Sequence, residues 1–113
     1  TQAKQALASY MKQYPKGAYL PNAHFWLGDI LLLQKDYLAA KKQFSMIVMQ
    51  YPHNSKVPDA KLKLAMIAID KKQYPLARKQ LLEIKKSYPN SSAAQLASIE
   101  LQKMDLIEQT NIE

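Results

Sequence analysis

Tyr51-Pro52-His53-Asn54-Ser55-Lys56-Val57-Pro58-Asp59-Ala60 decides the fold, because its landmarks occur again at a fixed distance. Tyr-Pro stands at Tyr14-Pro15, Tyr51-Pro52 and Tyr88-Pro89, 37 residues apart each time. Pro58-Asp59-Ala60 has its counterpart in Pro21-Asn22-Ala23, Leu64 in Leu27 and Tyr74 in Tyr37. Ala40-Lys41-Lys42-Gln43-Phe44 returns as Ala77-Arg78-Lys79-Gln80-Leu81, and Ile47 as Ile84. One period earlier, Ala3, Leu7 and Tyr10 take the places of Ala40, Phe44 and Ile47. So many positions agreeing in one register are the mark of a repeat architecture.

Each unit reads as two helices. Pro21 and Pro58 sit in a first helical turn, where the missing N–H has no partner to lose. Asn22 and Asp59 place a polar or acidic group near the positive helix end. Ala23, Leu27, Ile30, Leu31 and Gln34 share one side at helical spacing, and a turn at Lys35-Asp36 follows. Ala39, Ala40, Gln43, Phe44, Ile47 and Val48 form the second stripe, which stops at Tyr51 because a residue before proline resists the α conformation. The pattern repeats through Ala60, Leu64, Ile67 and Ala68, then Ala77, Leu81 and Ile84, with Pro75 at a helix start. Ser91 and Ser92 can cap a last helix through Leu96, Ile99, Leu101 and Met104. The expected organisation is one domain over 1–108: a half repeat at 1–14, repeats at 21–52 and 58–89, and a helix at 91–108, with a frayed tail at 109–113.

A helix pair this short cannot bury its stripe alone, so the pairs must stack. Small residues are needed where helices cross closely: Ala23, Gly28 and Ala40, then Ala60, Ala65 and Ala77, with Phe44 and Leu81 filling the space beyond. These positions fit the tetratricopeptide pattern of small, bulky and proline residues. His24 and Lys61 replace its leading tryptophan, and Leu31 and Ala68 its tyrosine. The three residues beyond the usual repeat length fall in the Tyr-Pro-to-Pro joint. The expected fold is all-α, a tetratricopeptide-like right-handed superhelix of antiparallel helix pairs with a 37-residue period.

Composition agrees. The 113 residues are 48% hydrophobic with two glycines, which favours helix over sandwich or barrel and excludes a disordered tail. The lack of cysteine excludes disulfides and thiolate metal sites. Apolar runs such as Ile30-Leu31-Leu32-Leu33 are far shorter than the ~18 residues that cross a bilayer, so no membrane insertion is expected. Residues 1–20 show no signal-peptide pattern, and the start in mid-pattern at Thr1 reads as a mature or excised fragment. The net charge of +7 suits an acidic partner, nucleic acid, an anionic surface or simple solubility. Fifteen of the sixteen basic residues are lysines scattered along the chain, with Arg78 the lone arginine. Arginine is the usual reader of bases and phosphates, so solvated helix faces are preferred to nucleic-acid binding.

Tyr14-Pro15-x5-Pro21-Asn22-Ala23-x2-Trp26-Leu27-Gly28, Tyr51-Pro52-x2-Ser55-Lys56-x-Pro58-Asp59-Ala60 and Tyr88-Pro89-Asn90-Ser91-Ser92-Ala93-Ala94 carry a narrower likeness. Over residues 1 to about 104 the chain resembles the C-terminal tetratricopeptide domain of the Tol-Pal-associated cell division coordinators, the CpoB/YbgF family. That resemblance implies a periplasmic, non-catalytic scaffold that binds TolA and helps coordinate outer-membrane constriction with septal peptidoglycan synthesis. It implies contact with a bifunctional peptidoglycan synthase and its lipoprotein activator. Relatives of this kind also carry a signal peptide and a trimerising coiled coil. Outer-membrane assembly lipoproteins of the BamD type share the Tyr-Pro style and supply the alternative reading.

Function is expected on the concave side of the first helices, where such arrays hold a partner segment. Helical spacing places Asn22, Phe25, Asp29, Leu32 and Leu33 there in one repeat. The second repeat places Asp59, Leu62, Met66, Ile69 and Asp70. Apolar members of that face would form an exposed binding patch. Trp26 is expected to be wedged between units, and the joint tyrosines to staple loops. His24 and His53 lie 29 positions apart without ligand spacing, so no metal is expected. Asp29 and Asp70 have no neighbouring base or nucleophile, and Gly17 and Gly28 alone make no phosphate loop, so neither catalysis nor a cofactor is expected.

Overall fold

Each apolar stripe winds into a helix. A computed structural model describes residues 2–14 and 17–112, the last two by backbone alone; Pro15 of the first joint lies outside them, as do Thr1 and Glu113. Among the described residues the elements are α1 (Gln2–Gln13), α2 (Leu20–Leu33), α3 (Tyr37–Gln50), α4 (Val57–Asp70), α5 (Tyr74–Ser87) and α6 (Ser92–Ile112). Pro21, Pro58 and Pro75 are each the second residue of their helix, the tolerated place. Thr110 Oγ1 donates to the Leu106 carbonyl at 2.9 Å, and no glycine or proline follows Pro89. α6 therefore continues through the segment expected to fray.

The turns repeat in atomic detail. Lys35 and Lys72 adopt left-handed backbone, φ 61° and 60°. Around the first, the Asp36 N–H donates to the Leu31 carbonyl and the Lys35 N–H to that of Leu32, both at 2.9 Å. Around the second, Gln73 donates to Ala68 at 2.8 Å and Lys72 to Ile69 at 2.9 Å. This is the Schellman ending, which satisfies the last helical carbonyls and reverses the chain in three residues. The Tyr-Pro joints share their own bond. The carbonyls of Tyr14, Tyr51 and Tyr88 accept the N–H groups of Gly17, Asn54 and Ser91 at 3.0–3.1 Å. Asn54 Oδ1 also takes the Lys56 N–H at 2.8 Å. Ser91 is the cap of α6, its Oγ accepting the Ala94 N–H at 3.0 Å.

The chain divides into units 1–60 and 61–113. In the first, α2 packs on both α1 and α3. Ala40, Phe44 and Ile47 of α3 are fully buried. A Cβ added at Gly28 would stand 2.7 Å from the Phe44 ring, so glycine is what lets α2 close on α3. In the second unit, one core joins Leu62, Ala65 and Ala68 of α4 to Ala77, Leu81 and Ile84 of α5 and to Ala93, Ala97, Leu101 and Met104 of α6.

Candidate protein-binding surface

α2 has the sequence LPNAHFWLGDILLL, in which Asp29 is the sole acidic residue and no lysine or arginine occurs. A helix apolar on every side belongs inside a protein. Yet α2 turns a side to solvent: Leu33 is 85% exposed, Trp26 53%, and Asn22, Asp29 and Leu32 are partly exposed. Of the expected surface residues, these four beside Trp26 are within reach of a partner in the first unit.

Phe25 is not. It is only 7% exposed, its ring 5.7 Å from that of Phe44 and edge-on to Trp26 at 5.8 Å. The physical reason is Gly28: with no side chain there, α3 sits close enough for Phe44 to reach across α2. Lys56 Nζ lies 4.7 Å from the Phe25 ring centre and 5.5 Å from that of Trp26, within cation–π range. The alternation of rings and ammonium is the most distinctive surface chemistry of the first unit.

On α4, Asp59 is partly exposed and Asp70 exposed. Leu62, expected on the open face, is 5% exposed within the core of its unit, and Met66 and Ile69 pack against that core. Leu62 is thus taken up by the core, while Met66 and Ile69 keep part of their surface exposed. Trp26 errs in the opposite direction, exposed where packing was expected. The signal was present in the repeat: 37 residues on stands Lys63, a residue that belongs at a surface.

Titratable groups serve the scaffold. His24, 8% exposed, donates from Nδ1 to Gln43 Oε1 at 2.7 Å, and its ring centre lies 6.5 Å from that of Tyr51. At the corresponding place Lys61 Nζ bonds Glu83 at 3.1 Å and lies 5.3 Å from the Tyr88 ring centre. Burial alone would lower the Lys61 pKa, but the Glu83 hydrogen bond and the nearby Tyr88 outweigh it and hold it above the ordinary lysine value. Arg78 bonds Glu108 at 2.8 Å and Asp105 at 3.0 Å, tying α5 to α6 and raising its own pKa. Tyr51 and Tyr88 of the joints thus lie beside His24 and Lys61 of the helices.

Among the described residues no three His, Cys, Asp or Glu side chains gather where they could hold a metal, and no helix is long and apolar enough to cross a membrane. Comparison with curated proteins gives no match. The family model of the tetratricopeptide repeat matches residues 22–54 and 59–91, which are the α2–α3 and α4–α5 pairs with their joints. These two stretches make up more than half of the chain, and the protein belongs to the tetratricopeptide repeat family.

Proposed function

We propose that the protein is a non-catalytic scaffold of the bacterial cell envelope that binds TolA in the periplasm. In this reading it links outer-membrane constriction to septal peptidoglycan synthesis at division, in reach of a peptidoglycan synthase and its lipoprotein activator. Tetratricopeptide domains are in general interaction scaffolds, which supports a protein partner. The observation that carries the reading is the solvent-facing side of α2, which bears no basic residue, with Leu33 bare at its end and Leu32 and Asp29 beside it. A surface of that kind loses water-exposed apolar area when a partner segment covers it. The choice of TolA rests on the Ser55-Lys56-x-Pro58-Asp59-Ala60 joint and its companions, which favour the Tol-Pal relatives over the BamD-type assembly lipoproteins. The lysine excess would speed encounter with an acidic segment.

Pull-down and titration with TolA fragments test this. Leu33→Asp should weaken binding by at least about tenfold, the effect of about 1.4 kcal/mol. Leu38→Asp, on an equally bare side chain at the start of α3, should leave it unchanged. Unaltered binding by Leu33→Asp would remove the α2 face as the site, and no binding by the parent chain would remove TolA.

A further inference from the structure

α6 is apolar on two opposite sides. Ala93, Ala97, Leu101 and Met104 face the core of the second unit. On the far side stand Ser92, Leu96, Ile99, Lys103, Leu106 and Thr110, spaced alternately four and three residues apart. That alternation is the heptad spacing that keeps a stripe facing a second helix along its length. The stripe is open. Leu96 is 49% exposed, Ile99 46% and Leu106 63%, and Ser92, Lys103 and Thr110 are exposed as well. The Thr110 hydroxyl already donates to the Leu106 carbonyl, so covering it strands no donor. A lone lysine with a carboxylate one turn before it, rather than a row of lysines, does not suit an anionic membrane surface.

The order of residues in the stripe specifies its occupant. About a centre at Leu101 the stripe is self-complementary: Ser92 answers Thr110, Leu96 answers Leu106, and Ile99 answers Lys103. We propose that a second copy of this chain docks here, its α6 antiparallel to the first about a two-fold axis at the level of Leu101. Leucine then meets leucine, small hydroxyl residues close both ends, and Ile99 lies on the methylene stem of Lys103 from the second copy. Lys103 Nζ bonds Glu100 of its own helix at 3.4 Å. In the antiparallel pair, Glu100 of the second copy comes to within about 1.5 Å, one residue rise, of the level of Lys103, so the ammonium can take its carboxylate from across the seam. A parallel pair would instead set Lys103 on Lys103 and align the two helix dipoles. One helix on one helix buries less than the ~1,600 Å² of a standard interface, so the dimer should be weak, with a dissociation constant of about 10–100 μM. The inference concerns α6 alone and is independent of TolA and of the α2 face.

Sedimentation equilibrium tests the proposal. The 113-residue chain should pass from monomer to dimer as its concentration rises through that range. Leu106→Gln, which removes a leucine from both ends of the seam, should weaken self-association by at least about tenfold and leave the melting midpoint of the dilute chain unchanged. Leu82→Gln, on an exposed side chain of α5, should leave self-association as it is. Lys103→Glu and Glu100→Lys should each disrupt the dimer while keeping the parental circular dichroism, because each sets like charges across the seam. An equimolar mixture of these two variants should restore association to within about threefold of the parent, since every cross-seam pair is then opposite in sign again. A parent chain that stays monomeric well above the expected range would overturn the proposal. So would a dimer indifferent to Leu106→Gln, a mixture that fails to associate, or assembly into trimers.

Discussion

The α2–α3 and α4–α5 pairs solve one packing problem with different residues. The first sets Phe44 against Gly28, and the second has Leu81 in a core with Ala65. A larger group on one helix demands a smaller one on the other, so the repeat conserves volume rather than identity. The polar positions differ more deeply. His24 satisfies Gln43 in the first pair. In the second, Lys61 turns to Glu83 and Tyr88, and the buried Oε1 of Gln80 has no hydrogen-bond partner. One substitution at the fifth helical position thus redirects a whole contact.

Exchanging the packing pair is the strongest way to break the comparison. Phe44→Ala should cost about 3–5 kcal/mol by urea unfolding, from lost burial and the cavity left behind. Gly28→Ala should cost about 1–3 kcal/mol through overpacking against the ring. In a Phe44→Leu background the same Gly28→Ala change should become neutral or favourable, because the second pair's volumes are then recreated and alanine favours helix by up to about 1 kcal/mol. A double-mutant cycle showing no coupling would refute the volume rule. Next in size, Gln43→Leu should cost about 1–3 kcal/mol by stranding the His24 N–H, whereas Gln80→Leu should be neutral or stabilising because it removes an orphaned oxygen.

The repeat also shows what a sequence carries and what it hides. Helix positions, the small–bulky crossings and the Ser91 cap were readable because each is set by spacing within one helix or by its own turn. The solvent-facing side of the first helices was readable only in part. Phe25 and Leu33 lie on neighbouring sides of α2, and spacing alone cannot tell that Phe44 reaches one and nothing covers the other. Leu62 and Trp26 were misplaced for the same reason. Burial of a residue beside the seam depends on the size of its neighbour across it, which periodicity does not encode. Nor does periodicity disclose that a lysine takes the left-handed position at 35 and 72 where glycine is customary.

That backbone choice yields a milder test. Lys35→Gly and Lys72→Gly should each raise stability by about 0.5–1 kcal/mol, since the left-handed penalty on a side chain with a Cβ is relieved. Gln73→Asp should add about 0.5–1 kcal/mol, giving α5 the side-chain cap that Asp36 gives α3 through the Ala39 N–H and that Gln73 does not provide. A Gln73→Asp chain no more stable than its parent would show that the two turns differ in more than their caps.

The smallest effect isolates Lys61. Its folded pKa is raised, so the contribution of its contacts is fully present below the unfolded lysine value near about 10.4 and is lost as pH climbs through the folded value. Glu83→Gln should therefore lower stability at pH 8 by no more than a few tenths of a kcal/mol, because Glu83 is largely exposed and the pair is screened. The gap between parent and variant should then close as the pH is taken above the lysine range, when Lys61 is neutral in both. His24→Ala, in the other repeat, should show no such closing, since its bond to Gln43 involves no lysine. A Glu83 effect equally large at pH 8 and in strong alkali would mean that the carboxylate acts through packing and not through the ammonium it faces.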